Sequence, residues 1–301
     1  MLVDLAAGTR YGTKPQALVS SMLRAPKILV FDSGLGGLTV FTEVIRVRPQ
    51  ADFVYAADDA GFPYGRLSED ALVARVLGVM ERLIDRFAPD AVVIACNTAS
   101  TLVLPHLRAR FSWLPFIGTV PAVKPAATQS RTGLISVLAT PGTVARDYTH
   151  ELVRTYAAHC AVTLVGAREL AGLAEGFIKG ERISDASIAR EIAPCFVSEE
   201  GRRTDCVVLA CTHYPLLTSH FERLAPWPVA WIDPAPAIAR RLDHVLREEL
   251  GFRAGPVPEA DAPCRVALFT REAAPTPALL NALRPRGLEK IISEPIPLLI
   301  A

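Results

Sequence analysis

Apolar residues along this chain form short, nearly unbroken runs that alternate with longer segments of helical periodicity. The runs at 27–31, 52–57 and 91–95 are typical of strands buried on both faces of a sheet. Between the second and third runs, apolar positions recur every three or four residues from Leu72 to Ile84, which predicts an amphipathic helix that begins at Ser68. Strands that alternate with helices predict an α/β fold built on parallel sheets.

The second half of the chain repeats this plan, with strand-like segments at 132–139 and 206–210. The segments VVIACNT at 92–98 and VVLACTH at 207–213 echo each other. Junctions between strands and helices favour such residues by chance, but both halves also carry a glycine-containing turn upstream, which favours a duplicated half. Further along, a helix over 237–250 and a strand over 265–270 are expected to pack back onto the first half.

We therefore expect three parts in the chain. Residues 1–26 are an N-terminal extension, residues 27–117 with 229–301 form a first α/β domain, and residues 118–228 form a second. A segment rich in proline around Pro121 links the two. The packing of the tail from about 251 to 301 is left open.

Composition restricts the class of protein. Half of the 301 residues are hydrophobic and 21% are charged, as in an ordinary globular protein. The formal net charge of +1 argues against a protein that mainly binds nucleic acid or an anionic membrane. No apolar run is long enough for a membrane-spanning helix, and the first 26 residues lack the pattern of a secretory signal. Six cysteines are too few for a disulfide scaffold and suit a reducing cytoplasm.

Two of the six cysteines stand at the ends of predicted strands. In an open parallel sheet, the carboxyl ends of the strands form the ligand crevice, and both Cys96 and Cys211 follow such an end. Each precedes an expected helix N-terminus, whose dipole favours the reactive thiolate. Most free cysteines are simply buried, but the matched placement in two half-domains favours a reactive pair. The other four cysteines are interpreted as structural, and no Cys-x-x-Cys spacing indicates a redox pair or zinc site.

The turn at 32–37, Asp-Ser-Gly-Leu-Gly-Gly, lacks the order of a dinucleotide fingerprint, and Asp32 would repel a pyrophosphate. Its amides suit a smaller anion, with Asp32 free to accept a proton or to orient a thiol. An ordinary tight turn capped by Asp32 is an equal alternative. His213 is similarly open, as an acid or base beside Cys211 or as a side chain that only satisfies a local hydrogen bond.

Five motifs together resemble the glutamate racemases, which are isomerases that need no cofactor. These motifs are FDSGLGGLTV (31–40), FPYG (62–65), ACNTAS (95–100), LATPGTV (138–144) and LACTHYPLL (209–217), within a resemblance over 27 to about 245. The resemblance implies two similar, flavodoxin-like α/β domains that face each other across a buried active site. It also implies racemisation by two bases, in which one thiolate removes the α-proton of glutamate and the opposing thiol returns a proton on the other face.

The resemblance also implies roles for single residues. Cys96 would deprotonate D-glutamate with help from Asp32, and Cys211 would deprotonate L-glutamate with help from His213. A further glutamate of the family is matched less securely by Glu175, because Glu169 lies nearby. The positions that match substrate-binding residues are Asp32, Ser33, Tyr64, Gly65, Asn97, Thr98, Thr143, Thr212 and His213.

Several expectations follow about cofactors, partners and alternatives. None of the five lysines lies in the five motifs, so a Schiff-base cofactor is not expected, nor is a metal. We expect a cytoplasmic homodimer that acts on glutamate and supplies D-glutamate for peptidoglycan synthesis, with no nucleic-acid or membrane partner. A racemase of the same superfamily that acts on aspartate or a hydantoin is the nearest alternative. A protein that binds an acidic ligand without turnover is the alternative from a different class.

Overall fold

The computed structural model describes residues 24–253, 263–271 and 275–297 of the chain. Most of the expected extension 1–26 therefore lies outside the described residues. The described part contains two parallel sheets with helices on their faces. The predicted α/β class with two parallel-sheet halves is confirmed.

The first sheet has six strands, and its strand order is β12-β11-β2-β1-β3-β4. These strands are β1 (Lys27–Asp32), β2 (Asp52–Ala57), β3 (Ala91–Ile94), β4 (Phe116–Ile117), β11 (Arg265–Phe269) and β12 (Lys290–Ser293). Alternate residues of β1 enter different cores, since Ile28 and Val30 pack in one cluster and Leu29 and Phe31 in another. Burial on both faces explains why the strand is apolar throughout.

The second sheet has four strands in the order β10-β9-β5-β6. They are β5 (Leu134–Ala139), β6 (Ala161–Gly166), β9 (Cys206–Ala210) and β10 (Ala230–Ile232), while a separate antiparallel pair consists of β7 (Ser198–Glu199) and β8 (Arg202–Arg203). When the strands of each sheet are numbered by their position in the chain, the same spatial order of second, first, third and fourth strand appears twice. It is β2-β1-β3-β4 in the first sheet and β6-β5-β9-β10 in the second. Both follow the start of the flavodoxin-like order, so the echo between the halves extends to their topology.

Helices cover both sheets. They are α1 (Leu38–Val47), α2 (Glu69–Phe87), α3 (Asn97–Arg110), α4 (Val123–Gln129), α5 (Pro141–Val144), α6 (Asp147–Tyr156), α7 (Leu170–Ile178), α8 (Asp185–Ile192), α9 (Thr218–Leu224), α10 (Ala235–His244) and α11 (Pro277–Leu283). Helix α2 begins as predicted, because the Ser68 hydroxyl accepts a hydrogen bond from the amide of Ala71. It ends where Ala88 adopts a left-handed conformation with φ of 45°. Among the described residues, no helix is long and apolar enough to cross a membrane.

The chain returns to the first sheet later than predicted. The sequence predicts that the first domain resumes at residue 229, but β10 pairs in register with β9, with Ala230 opposite Cys206 and Ile232 opposite Val208. Backbone pairing therefore keeps residues 230–232 in the second sheet, and the crossing comes after Ile232. The division into two domains otherwise stays a prediction. After the crossing, α10 packs on α1 through the core of the first sheet, and β11 pairs with β2, as expected for 265–270.

Helix α10 follows the last strand of the second sheet in the chain, but it packs in the core of the first sheet. Its Leu242 is fully buried in this core. Leu242→Ala is expected to lower the free energy of unfolding by about 2–5 kcal/mol, because it removes packing and leaves a cavity. Urea denaturation measures this loss. The matched control is Arg240→Ala on the exposed face of the same helix, which should change stability by less than about 0.5 kcal/mol. Equal effects of the two changes would contradict the packing assigned to α10.

Candidate active site

Two cysteines from the two sheets reach one cavity. Cys96 lies two residues after β3, and Cys211 directly follows β9. Both side chains line the same cavity, and the space there that holds no protein atoms, part of it open to solvent, is about 320 Å³. Its lining combines both thiols with hydroxyl, amide and aromatic side chains: Ser33, Phe62, Pro63, Tyr64, Gly65, Cys96, Asn97, Thr98, Thr140, Ala171, Cys211, Thr212 and His213. The structure therefore brings together most of the residues that the sequence singled out.

Cys96 is the N-cap residue of α3 and is almost fully buried. Its Sγ lies 3.8 Å from the Ser33 hydroxyl. The helix dipole was expected to favour the thiolate, but burial and then the charge of Asp32 raise the pKa of Cys96 to about 12. The helix end acts in the expected direction, because the hydrogen bond from the Ala99 amide lowers the pKa of Cys96, but desolvation outweighs it.

Cys211 stands in a different environment. No α-helix begins directly after it, since a 3₁₀ turn occupies Tyr214–Leu217 before α9, so the expected helix N-terminus is displaced. Instead, Cys211 Sγ lies 3.9 Å from Nδ1 of His213, and Nε2 of the same ring lies 2.8 Å from Glu175 Oε2. The other carboxylate oxygen of Glu175 pairs with Lys179 Nζ at 2.9 Å. Lys179, Glu175 and His213 thus form a line of contacting groups that runs from the partly exposed lysine to the thiol of Cys211.

The charges of this line follow from its contacts. Burial alone would lower the pKa of His213, but its interactions with Cys211 and Glu175 raise the pKa well above the ordinary value. Burial alone would raise the pKa of Glu175, but His213 and then Lys179 hold it at about 2. The contact with Glu175 therefore favours the protonated form of His213 beside the thiol. Glu175, matched insecurely from the sequence, is the residue that contacts His213, whereas Glu169 is exposed and pairs with Arg190.

Asp32 is fully buried at the end of β1, beneath the cavity surface rather than in its lining. One carboxylate oxygen accepts hydrogen bonds from the amides of Gly34 and Gly37, and the other accepts from the Thr212 hydroxyl at 3.1 Å. Burial raises the pKa of Asp32 above its usual value. Asp32 thus ties the turn of the first sheet to the residue next to Cys211. The tight-turn alternative is correct in part, although the N-cap residue of α1 is Gly37.

Hydroxyl and amide groups from both sheets surround the thiols. Thr98 Oγ1 lies 3.3 Å from Thr140 Oγ1 and 3.4 Å from Thr143 Oγ1, so residues after β3 meet residues after β5. Asn97 is buried, and within the described part of the chain neither its amide nitrogen nor its side-chain oxygen has a hydrogen-bond partner. Buried polar groups are normally paired. An unpaired amide in the wall of a cavity indicates a polar ligand.

Some assignments from the sequence were incomplete. Thr143 and Glu175, like Asp32, do not line the cavity but contact residues that do. Phe62, Pro63 and Thr140 belong to the quoted motifs FPYG and LATPGTV but were not singled out. Phe62 packs against the His213 ring, with the ring centroids 5.2 Å apart. Ala171, on α7, had no signal in the sequence, because a small apolar residue in an apolar helix carries no chemistry.

Comparison with known proteins agrees with this geometry. A family described as Asp/Glu/hydantoin racemase matches residues 43–242. The chain belongs to this family. The glutamate racemase of Agrobacterium fabrum is 56% identical to the chain over 73% of its length and 80% of that protein. The glutamate racemase of Brucella anthropi is 58% identical over 73% of the chain and 79% of that protein.

Solved structures extend the similarity to the fold. Escherichia coli glutamate racemase, in complex with L-glutamate and the activator UDP-MurNAc-Ala, superposes with a TM-score of 0.80 at 37% identity. That match covers 90% of this chain and 98% of the other. Glutamate racemase isoform RacE1 of Bacillus anthracis gives a TM-score of 0.73 at 26% identity, over 93% of this chain and 100% of the other. These two-domain racemases share the arrangement of sheets described above.

The ion pair of Glu175 and His213 makes a prediction about pH. Glu175→Gln keeps the shape but removes the charge, so the pKa of His213 should fall by at least about one unit. The pair lowers the pKa of Glu175 and raises that of His213. Its contribution to stability is therefore complete from about pH 4.5, the ordinary pKa of a glutamate, to about pH 6.5, the ordinary pKa of a histidine. It is lost at higher pH as His213 loses its proton. The variant should therefore be less stable by about 3 kcal/mol near pH 6, with a smaller deficit at higher pH.

NMR titration of the His213 ring and urea denaturation at several pH values measure the two effects. Glu169→Gln, which changes an exposed glutamate next to the same helix, is the control and should leave both unchanged. A variant of Glu175 with an unaltered His213 titration would contradict the assigned ion pair.

Proposed function

We propose that the chain is a glutamate racemase that interconverts L- and D-glutamate by proton transfer between Cys96 and Cys211. The observation that carries the proposal is that two thiols enter one cavity from equivalent strand ends of two similarly ordered sheets. Relatives named glutamate racemase at 56% and 58% identity support glutamate as the substrate. A binding protein that only captures an acidic ligand would have no use for such a pair.

The proton balance of this reaction closes without a further reactant. One cysteine, as a thiolate, takes the α-proton, and the C–H electron pair remains on the substrate as a carbanion. The opposing thiol then donates its proton to the other face of the same carbon. The two cysteines finish with exchanged protonation states, and either proton exchange with solvent or turnover in the reverse direction restores them. The reaction as written needs no cofactor.

The environments of the two thiols differ. Burial and then Asp32 raise the pKa of the Cys96 thiol to about 12, which favours its role as the proton donor. Cys211 Sγ lies 3.9 Å from Nδ1 of His213, and we assign Cys211 the role of the base. This arrangement is prepared for removal of the proton of L-glutamate by Cys211 and its return by Cys96. Asp32 and His213 are assigned to assist Cys96 and Cys211 respectively.

The Cα–H of an amino acid is a very weak acid, so the carbanion requires stabilisation. We assign this role to the donors around the cavity, with Ser33, Asn97, Thr98 and Thr212 positioned to bind the carboxylate and amino groups. Donors fixed in a buried site stabilise developing charge more than they would in water. The unpaired amide of Asn97 supports this assignment, since a bound carboxylate would satisfy it.

From the family we also infer that the protein supplies D-glutamate for peptidoglycan synthesis and acts in the cytoplasm as a homodimer. Sedimentation equilibrium tests the oligomeric state, with the mass expected at twice the 32.5 kDa of one chain. A monomer at micromolar concentration would contradict the homodimer and leave the reaction unaffected.

Single cysteine variants provide the direct test of the mechanism. Cys96→Ala and Cys211→Ala should each abolish racemisation, because one of the two proton transfers is lost. Each variant should still eliminate a leaving group from one enantiomer of a β-substituted glutamate, since elimination requires one base. Circular dichroism follows racemisation, and product analysis follows elimination. The two variants must select opposite enantiomers; selection of the same enantiomer would overturn the opposed-thiol assignment.

Two controls sharpen this test. Cys206→Ala changes a buried cysteine that packs on the opposite face of the second sheet from Cys211, and it should retain racemisation. The wild-type protein assayed without added cofactor should exchange Cα–H of glutamate for solvent deuterium, whereas simple binding would not. Turnover of aspartate with no turnover of glutamate would favour the alternative substrate class.

A further inference from the structure

A buried polar network lies behind one wall of the cavity, outside the groups used in the mechanism. Its centre is Asp58, which directly follows β2 and is fully buried. Asp58 does not line the cavity, whereas its partner Tyr64 does. A buried carboxylate is costly unless its oxygens are paired, so the arrangement of its partners indicates what it is for.

Both oxygens of Asp58 are fully used. Oδ2 accepts a hydrogen bond from the Tyr64 hydroxyl at 2.6 Å and another from Arg75 Nε at 2.9 Å. Oδ1 accepts from Arg75 Nη2 at 2.5 Å and from the Thr270 hydroxyl at 2.6 Å. The two-point contact with the guanidinium fixes the orientation of the carboxylate. With every near position occupied, Asp58 has no oxygen free to exchange a proton with a ligand.

The network connects the cavity wall to the end of the described chain. Thr270 follows β11, and its backbone oxygen accepts from the amide of Ile296 at 2.9 Å. Arg75, on α2, also donates from Nη1 to the backbone oxygen of Pro297 at 2.8 Å. Two separate paths thus join Asp58 to residues 296–297. These residues follow β12, the edge strand of the first sheet.

The hydroxyl of Tyr64 serves this network. Burial and the charge of Asp58 raise the pKa of Tyr64 well above its usual value, so the phenol stays protonated and donates to Asp58. Tyr64 therefore lines the cavity while its hydroxyl is bound to Asp58. The approach is close, because a Cβ at Gly61 would lie 2.8 Å from Asp58 Oδ2 and 2.9 Å from the Tyr64 ring. The loop that carries Phe62–Gly65 folds tightly around the carboxylate.

We propose that Asp58 is a positioning residue, through which the segment from β11 to Pro297 holds the Tyr64 wall in place for glutamate. The segment contributes Thr270 and residues 296–297, and Asp58 transmits their position to Tyr64. This inference rests on the proposed function, because the ligand whose binding it controls is glutamate. The role is exerted on affinity, because the hydrogen bonds of Asp58 hold a wall of the cavity and none of them involves a thiol.

The test removes one distant hydroxyl without touching the cavity. Thr270→Val keeps the shape of the side chain but removes the hydroxyl that donates to Asp58 and accepts from the amide of Ala60. It should raise KM for both enantiomers of glutamate about tenfold while kcat changes by less than about twofold, because small misplacements of a binding wall weaken binding strongly. Thr270→Ser restores the hydroxyl and should restore KM. Arg75→Lys, which loses the two-point contact, is a second variant and should also raise KM.

A matched control distinguishes the proposed positioning role of Asp58 from a merely structural one. Asp243→Asn disturbs the ion pair of another buried arginine, in which Arg48 Nε lies 2.7 Å from Oδ1 of the partly exposed Asp243. It should lower the melting temperature without raising KM. Thr270→Val and Arg75→Lys with the wild-type KM would overturn the proposal, as would an equal rise in KM in Asp243→Asn. Failure of the wild-type protein to racemise glutamate would instead refute the proposed function, so the two failures are distinct.

Discussion

The whole arrangement depends on bringing two thiols from two different sheets into one cavity. One sheet alone cannot do this, because the carboxyl ends of its parallel strands all lie along one edge. Two sheets with equivalent strand order bring Cys96 and Cys211 in from separate edges. The repeat of β2-β1-β3-β4 in β6-β5-β9-β10 is therefore the structural basis of the site. The length of the chain follows from the same requirement.

The two thiols have different neighbours. Asp32 adds to the desolvation that raises the pKa of Cys96, whereas Cys211 lies beside His213. Burial alone would lower the pKa of His213, but its contacts with Cys211 and Glu175 raise that pKa well above its usual value. A helix N-terminus provides only a fraction of a charge, and such a fraction is too small to decide the state of a fully buried cysteine.

Much of this could be read from the sequence because it depends on local patterns. The strands at 27–31, 52–57 and 91–95 are recognisable since burial on both faces makes them apolar throughout. Cys96 and Cys211 were found because polar residues follow their strands. The pairing of β10 with the second sheet was missed, since a three-residue strand has too short a pattern to show its partner. Ala171 and the raised pKa of Cys96 were missed because they depend on neighbours that are distant in sequence.

The first sheet is completed only after the chain has built the second. Strands β11 and β12 and helix α10 all come from beyond Ile232, yet they cover the edge and one face of the first sheet. The first domain thus has two covalent connections to the second, which restrict how far the cavity walls can separate. The contact of Thr98 with Thr140 and that of Asp32 with Thr212 bridge the halves on the two sides of the cavity. A site whose chemistry requires both halves is in this way held together by the path of the chain as well as by its side chains.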